Sequence, residues 1–264
     1  MPDYLTQEQH GHVLVLTMND PQRRNPLTGN SAVQEFVEVC ARVQAGGSVR
    51  AVVITGAGSA FSAGGDIRGM QQQAGGAVPG LDVRRGYVEG IQRLPLALAA
   101  LDVPVIAAVN GAAIGAGLDL ACACDMRIAS GQARFAASFV KLGLVPGDGG
   151  AWLLQRIVGI SRAAELILSG DAFDAHQALA WGLVSQVVPA ASLLSDALAL
   201  AQRIAQNPPQ AVRLSKRLLR DGMHGRLDES LRAAASLQAL LQQTPDHLEA
   251  IAAFLEKRTP VFQG

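Results

Sequence analysis

The sequence has few aromatic residues and no excess of either charge. Only 4% of its 264 residues are Phe, Trp or Tyr, whereas 49% are hydrophobic, so Ala, Leu and Val must build the core. Lys plus Arg and Asp plus Glu both number 22, which gives a formal net charge of zero. That balance argues against an electrostatically driven nucleic-acid surface, because such a surface needs a basic excess.

The sequence also lacks signals of export, membrane insertion and cysteine-based metal binding. Residues 1–8 have neither the basic nor the apolar region of a signal peptide. No apolar run reaches membrane-spanning length without Gly, Pro or charge. Cys40, Cys122 and Cys124 have no His neighbours at metal-ligand spacing and are expected to be buried free thiols in a reducing compartment. We therefore expect a cytoplasmic protein that binds no metal and contacts no membrane.

Hydrophobic patterning predicts one large α/β core followed by a helical region. A composition shift near residue 195 divides the chain into a core, 1–195, and a C-terminal helical region, 196–264. The least patterned stretch, 75–80, is expected to be a loop. Strands are predicted at 12–18, 49–55, 104–109, 126–129, 134–136 and 184–188. Helices are predicted at 28–44 with Thr28 as its cap, at 83–100, from 151, at 162–169, at 174–181 and from 192 onward.

A turn after the strand 104–109 has the features of an anion site. Gly and Ala dominate residues 111–117, so backbone N–H groups there can come close to a ligand. The helix that follows begins with unpaired N–H groups, and its dipole favours negative charge. Asp119 lies one turn into that helix. We interpret the combination as a site that stabilises a developing anion.

Other segments of the chain complete a pattern with this turn. A Gly-rich loop at 56–66 follows the strand 49–55, and another Gly-rich turn at 142–150 precedes a predicted helix. Over nearly the whole length and in the same order, these motifs resemble the enoyl-CoA hydratase/isomerase (crotonase) family. The resemblance rests on Arg23–Leu27, Phe61–Asp66, Ala108–Asp119, Cys124-Asp125, Leu142–Gly150 and Phe254–Arg258.

The resemblance implies a ClpP/crotonase-like spiral of ββα units with a helical C-terminal region. It also implies a trimer or a dimer of trimers, and an acyl-CoA substrate that is hydrated or whose double bond is shifted. Enzymes of this family pass a thioester through an enolate held by two backbone N–H groups, here those of Gly65 and Ala116. No cofactor is expected beyond the coenzyme A that the substrate carries.

Two carboxylates are the candidate catalytic groups. Asp119 occupies the family's first acid position, although a carboxylate favoured by the helix dipole is the alternative interpretation. The second acid position of hydratases holds Phe139, which cannot transfer a proton. Asp148 resembles the acid that some isomerases carry in this turn, and a helix N-cap is its alternative role. We expect Asp119 and Asp148 to face the acyl chain from two sides and carry its proton transfers.

Substrate contacts are predicted around the loops and at the C-terminus. By resemblance, Arg24 and Lys257 approach the CoA moiety, although each is also typical of a solvated charge. Asp66 is expected to bind local backbone, and Phe139 and Trp152 are candidates for the acyl pocket or plain core. The full set of predicted substrate-contact residues is Arg24, Ala63, Gly64, Asp66, Ile67, Phe139, Trp152 and Lys257.

Other functions remain open at this point. Thioester hydrolysis or dehalogenation would use the same N–H groups with a different acid or nucleophile. A non-catalytic RNA-binding relative needs a basic stripe, which a chain of zero net charge does not favour.

Overall fold

Ten strands within residues 3–264 fall into two sheets. The computed structural model describes these residues, except for the side chains of Gln72 and Gln73. Six strands form one sheet in the order β1-β2-β3-β5-β7-β10, and four form a second in the order β4-β6-β8-β9. The strands are β1 Leu5–His10, β2 Val13–Met18, β3 Ala51–Gly56, β4 Ala60–Ser62, β5 Val105–Val109, β6 Ala112–Ile114, β7 Met126–Ser130, β8 Arg134–Ala136, β9 Ala172–Asp174 and β10 Gln186–Val188.

Helices surround the sheets and form the C-terminal region. Short 3₁₀ turns lie at Pro21–Arg23, Ala74–Gly76 and Ser138–Leu142. The α-helices of the described chain are α1 Ala32–Ala45, α2 Ile67–Gln73, α3 Gly80–Glu89, α4 Arg93–Ala100, α5 Ala116–Ala123, α6 Gly150–Val158, α7 Ile160–Ser169, α8 Ala175–Ala180, α9 Leu193–Ala205, α10 Pro209–Gly222, α11 Leu227–Leu241 and α12 Pro245–Glu256.

The chain alternates between the two sheets. β3, β5 and β7 lie in the larger sheet, and the strand that follows each of them lies in the smaller one. Successive units pair in parallel in both sheets. Parallel neighbours need a crossover connection, which helices provide between β4 and β5 and between β6 and β7. This repeat is the spiral of ββα units that the resemblance implied.

The larger sheet is covered on both faces, as its apolar strands predict. Every residue of β3 and β5 is buried. Alternate residues such as Val53 and Ile106 pack against Ala197 and Ala201 of α9, whereas Ile54 belongs to the other core cluster. The first helix after residue 195 thus shares the core of the sheet. The division of the chain at that residue stays a prediction.

The predicted strands are found in place, but several other elements differ from expectation. The helix predicted from residue 28 begins at Ala32, because the Thr28 hydroxyl accepts a hydrogen bond from Asp66 N instead of capping the helix. The helix predicted at 83–100 is two helices, α3 and α4. They separate at Gly90, whose backbone lies so close to Gly86 O that a Cβ would be 2.3 Å from it. Strands β1, β4, β6 and β9 were not predicted, because they are short or largely polar.

The buried side chain of Asn25 holds together the loop that follows β3. Its Nδ2 donates to the carbonyl oxygens of Ala57, Ala60 and Phe61 at 2.9, 2.9 and 3.2 Å. Its Oδ1 accepts from Asp20 N at 2.9 Å. The backbone φ of Asn25 is +55°, a left-handed conformation that Asn tolerates better than most residues.

Replacing Asn25 with Ala should lower the free energy of unfolding by about 2–4 kcal/mol, because buried carbonyl groups lose their donor. Asn25→Gly should lower the free energy of unfolding by less, since Gly relieves the strain of positive φ but restores no hydrogen bond. Urea unfolding measures both. Asn207→Ala, at an exposed helix end, is the matched control, and a loss no larger than the control's would contradict this role of Asn25.

Candidate active site

The turns that follow β4 and β6 are in direct contact. β4 and β6 are parallel neighbours, so their carboxyl ends lie at the same edge of the smaller sheet. A Cβ on Gly64 would lie 2.5 Å from Ile114 O and 3.3 Å from Ala116 N. No side chain fits in this space, and a residue larger than Gly at position 64 would push the two turns apart. The contact brings the predicted donors Gly65 and Ala116 to one place.

The N–H groups of Gly65 and Ala116 are both available to a ligand. In the turn after β4, the N–H groups of Ala63, Gly64 and Asp66 donate to protein oxygens at 3.2 Å or less. Gly65 N–H has no acceptor among residues 3–264. Ala116 is the first residue of α5, so its N–H has no acceptor within the helix. Both residues line the same cavity.

The cavity has a volume of about 440 Å³ and a mostly apolar lining. Its walls come from residues 27–33, from α2, from α3 and from the segment 138–148. Leu27, Val33, Val83, Ile91 and Leu144 are among the apolar side chains that line it. Of the predicted substrate-contact residues, the lining includes Ala63, Asp66, Ile67 and Phe139.

Asp119 is buried beside the cavity and does not line it. Its side chain points from the first turn of α5 to the start of α6, where Oδ2 accepts from Gly150 N at 3.0 Å. A Cβ on Gly150 would lie 2.1 Å from Asp119 Oδ1, so this position requires Gly. The Gly150 N–H thus holds one oxygen of the carboxyl at the start of α6. That Asp119 faces the acyl chain stays a prediction.

The environment of Asp119 favours its neutral form. Burial raises the pKa of Asp119 to about 8, the negative charge of Asp148 adds to that effect, and the hydrogen bond from Gly150 N opposes it. A carboxylate stabilised by the helix dipole alone would be ionised at neutral pH. Asp119 is instead largely protonated at pH 7.

Of the two candidate acids, Asp148 is the one that lines the cavity. It is 8% exposed, and its Oδ1 is buried without a hydrogen-bond partner in the described chain. Burial raises the pKa of Asp148 to about 6, so it is largely ionised at pH 7. The N-cap of α6 is Gly149, and Asp148 makes no capping bond. The N-cap alternative for Asp148 is therefore not supported.

The turn that carries Asp148 is held by the segment between α3 and α4. Gln92 Nε2 donates to Gly147 O at 2.9 Å. The ring of Tyr87 packs on Gly147, where a Cβ would lie 2.9 Å from Tyr87 Cε1. Tyr87 lines the cavity, and burial together with the charge of Asp148 raises its pKa. Tyr87 was not predicted from the sequence, because no local pattern relates that helix to a turn 60 residues later.

The remaining predicted residues lie around or outside the cavity. The ring of Phe139 is near Gly115, where a Cβ would lie 3.6 Å from Phe139 Cζ. Asp66 caps α2 by accepting from Arg68 N at 3.1 Å, which agrees with the local role expected of it.

Trp152 does not line the cavity. Its ring is on the surface, 41% exposed, 5.3 Å from the ring of His224 and 3.9 Å from the Arg156 guanidinium. The structure therefore does not place it in the acyl pocket. Arg24 and Lys257 are exposed, and their contacts with CoA stay predictions.

Several general properties accompany this site. Cys40, Cys122 and Cys124 are buried free thiols, as expected. Within residues 3–264, no three His, Cys, Asp or Glu side chains are grouped so that they could hold a metal ion. In the same part of the chain, no helix combines the length and apolar character needed to cross a membrane.

Comparison with known proteins decides the family. The family model described as enoyl-CoA hydratase/isomerase matches residues 8–264. The chain belongs to the enoyl-CoA hydratase/isomerase family. The 2,3-dehydroadipyl-CoA hydratase of Escherichia coli K12 is 38% identical, over 96% of this chain and 95% of its own. The 1,2-epoxyphenylacetyl-CoA isomerase of the same organism is 36% identical over the full length of both.

Solved structures support the same assignment. An enoyl-CoA hydratase from Bacillus anthracis superposes with a TM-score of 0.92 at 34% identity, covering 99% of this chain and 100% of that one. The crotonase-like fold expected from the sequence is thereby confirmed. The family assignment makes the cavity beside Gly65 and Ala116 the candidate active site of a hydratase or isomerase.

Replacing Asp148 with Asn should stabilise the folded enzyme at high pH. The folded-state pKa of Asp148, about 6, lies above the unfolded value near 3.8, so ionisation opposes folding. Below about pH 4 the carboxyl is neutral in both states, and its ionisation does not affect stability. Between about pH 4 and pH 6 the free energy of unfolding falls as the pH rises, and above about pH 6 the loss levels off. It reaches at most about 3 kcal/mol, the equivalent of two pKa units.

Urea unfolding of wild type and Asp148→Asn at pH 5 and pH 8 measures this effect. The variant should be more stable at pH 8, by a smaller margin at pH 5. Asp171→Asn is the control, since the pKa of exposed Asp171 is lowered by Lys141 and its removal should not stabilise. A variant less stable than wild type at pH 8 would show that the carboxylate is not strained by burial.

Proposed function

We propose that the enzyme moves the double bond of an enoyl-CoA from C3=C4 to C2=C3. The observation that carries this proposal is the carboxyl group of Asp148, which has no hydrogen-bond partner among the described residues and lies on the wall of a cavity that also presents two N–H groups without an acceptor there. The position at which hydratases carry a second acid by resemblance holds Phe139. A single base next to an anion site suits a proton transfer between two carbons of one substrate.

The reaction can be written with this chain's own groups. The thioester oxygen accepts hydrogen bonds from Gly65 N and Ala116 N, which makes the protons on C2 more acidic. Asp148 takes one of these protons, the electron pair forms a dienolate, and the N–H groups stabilise its oxygen. Asp148 then returns the proton to C4, and the double bond remains between C2 and C3. One such N–H donor typically contributes about 3–4 kcal/mol to transition-state stabilisation.

Burial sets the basicity of Asp148. A pKa of about 6 leaves most of Asp148 ionised at pH 7 yet makes it a stronger base than an exposed carboxylate. Asp119, with a pKa of about 8, is mostly neutral at the same pH. It therefore does not add a second negative charge near the dienolate. We assign Asp119 a positioning role, through its hydrogen bond from Gly150 N at the start of the helix that follows Asp148.

Hydration of a 2-enoyl-CoA is the second candidate. Relatives from Escherichia coli and Clostridium acetobutylicum that are 38% identical to this chain are named hydratases. In that reaction two acids position a water molecule, so Asp119 would have to act together with Asp148. Phe139 lines the cavity at the second acid position and cannot orient such a water. This feature favours isomerisation over hydration.

The remaining features of the proposal come from family resemblance. Coenzyme A enters as part of the substrate, with Arg24 near the CoA moiety and Lys257 near its phosphates, and no other cofactor is required. A homotrimer or dimer of trimers would bring apolar side chains of α12 such as Phe254, 84% exposed, against a neighbouring copy. A cytoplasmic location fits this role.

The proposal predicts unequal effects of the two carboxyl groups. Asp148→Asn should lower kcat for conversion of 3-hexenoyl-CoA to 2-hexenoyl-CoA by about 10²–10⁴-fold, because the base is lost. Asp119→Asn should stay within about tenfold of wild type, because an amide oxygen still accepts from Gly150 N and the residue transfers no proton. The wild-type kcat/KM should rise with pH through about 6, where Asp148 ionises.

Product analysis of 3-hexenoyl-CoA and crotonyl-CoA reactions separates the candidates. A 3-hydroxyacyl product formed faster than the isomerised one would favour hydration. An equal loss in both Asp variants would assign the chemistry to an acid pair. Formation of neither product would overturn the assignment to this reaction class.

A further inference from the structure

The charged side chains that line the cavity are all acidic. They are Asp66, Asp82 and Asp148. Among the lining residues whose side chains are described, none is Lys, Arg or His. The charge on the cavity wall is therefore negative at neutral pH, although the chain as a whole has zero net charge.

The cations nearest to two of these carboxylates face the solvent. Arg23 lies 3.3 Å from Asp66, and Arg85 lies 3.5 Å from Asp82. The two Arg side chains are 46% and 66% exposed, and neither lines the cavity. Asp148, further inside, has no ion-pair partner in the described part of the chain. A second anion in the cavity would find no counter-ion there.

We infer that this enzyme selects neutral acyl chains and rejects those that end in a carboxylate. The inference rests on the proposed function, since it concerns the acyl chain of the same thioester. It distinguishes this chain from its Escherichia coli relative named 2,3-dehydroadipyl-CoA hydratase, because a dehydroadipyl chain ends in a carboxylate. A sequence identity of 38% does not show that the two proteins share a substrate.

Two effects act against a terminal carboxylate. The group must leave water for a mostly apolar cavity that offers it no cation. It also comes close to the ionised carboxylate of Asp148, and like charges a few ångströms apart repel strongly where water is largely excluded. Together we expect these effects to weaken binding on the order of 10- to 100-fold.

Binding of saturated thioesters tests this without catalysis. Hexanoyl-CoA and adipyl-CoA have six acyl carbons and the same coenzyme A, and differ by the terminal carboxylate. Calorimetric titration of the wild-type enzyme should give a Kd for adipyl-CoA on the order of 10- to 100-fold higher. Equal values would overturn the inference.

Failure of the inference and failure of the proposed function give different results. Tight binding of hexanoyl-CoA without conversion of 3-hexenoyl-CoA would overturn the function and leave the selectivity standing. Conversion of 3-hexenoyl-CoA with equal binding of the two saturated thioesters would overturn the selectivity and leave the function standing. No binding of either thioester would overturn both.

A cation placed on the wall should weaken the selectivity. Val83 lines the cavity from α3, and Val88 on the same helix does not. Val83→Arg should lower the ratio of the two Kd values at least tenfold, whereas Val88→Arg should leave it unchanged. The same ratio measured for wild type should shrink as salt rises from about 0.05 to 0.5 M, because screening weakens the repulsion. A ratio that responds to neither change would contradict the electrostatic cause.

Discussion

Close contact between the backbone around β4 and the backbone around β6 positions the two N–H donors of the site. A Cβ on Gly111 would lie 2.0 Å from Ser59 O, and one on Gly117 would lie 2.2 Å from Ser62 O. Together with Gly64, these positions let the β4 and β6 turns pack backbone to backbone. The N–H groups of Gly65 and Ala116 are consequently held by the sheet and not by mobile side chains. Such pre-organised donors need no reorganisation when charge develops on a ligand.

Glycine is also required beside Asp119, where a backbone N–H contacts the carboxyl group. Gly150 leaves room for the Asp119 carboxyl and donates its N–H to it. Burial would otherwise leave that group without a partner. Asp148 has no such donor on Oδ1. The pKa of Asp119 is nevertheless the higher of the two, because its burial and the charge of Asp148 outweigh the lowering effect of that hydrogen bond.

Much of the site was predictable because it is local in sequence. A buried strand, a Gly-rich turn and a helix start follow one another within residues 104–119, and each has a recognisable pattern. The contact of Asp119 with Gly150 was not predictable, because spacing along α5 does not show which other element that face meets. Tyr87 was missed for a similar reason. Its contact with Gly147 depends on how α3 packs, and long-range packing leaves no local pattern.

The acidic cavity and the basicity of Asp148 follow from one constraint. An Arg or Lys placed to recognise a carboxylate on the acyl chain would also face Asp148 and pair with it. Pairing lowers the pKa of a carboxyl group and makes it a weaker base. Asp148 keeps a pKa of about 6 because burial acts on it without a compensating cation. A site that uses a single buried carboxylate as its base is thus better suited to neutral acyl chains, and the selectivity arises from the same burial that makes Asp148 reactive.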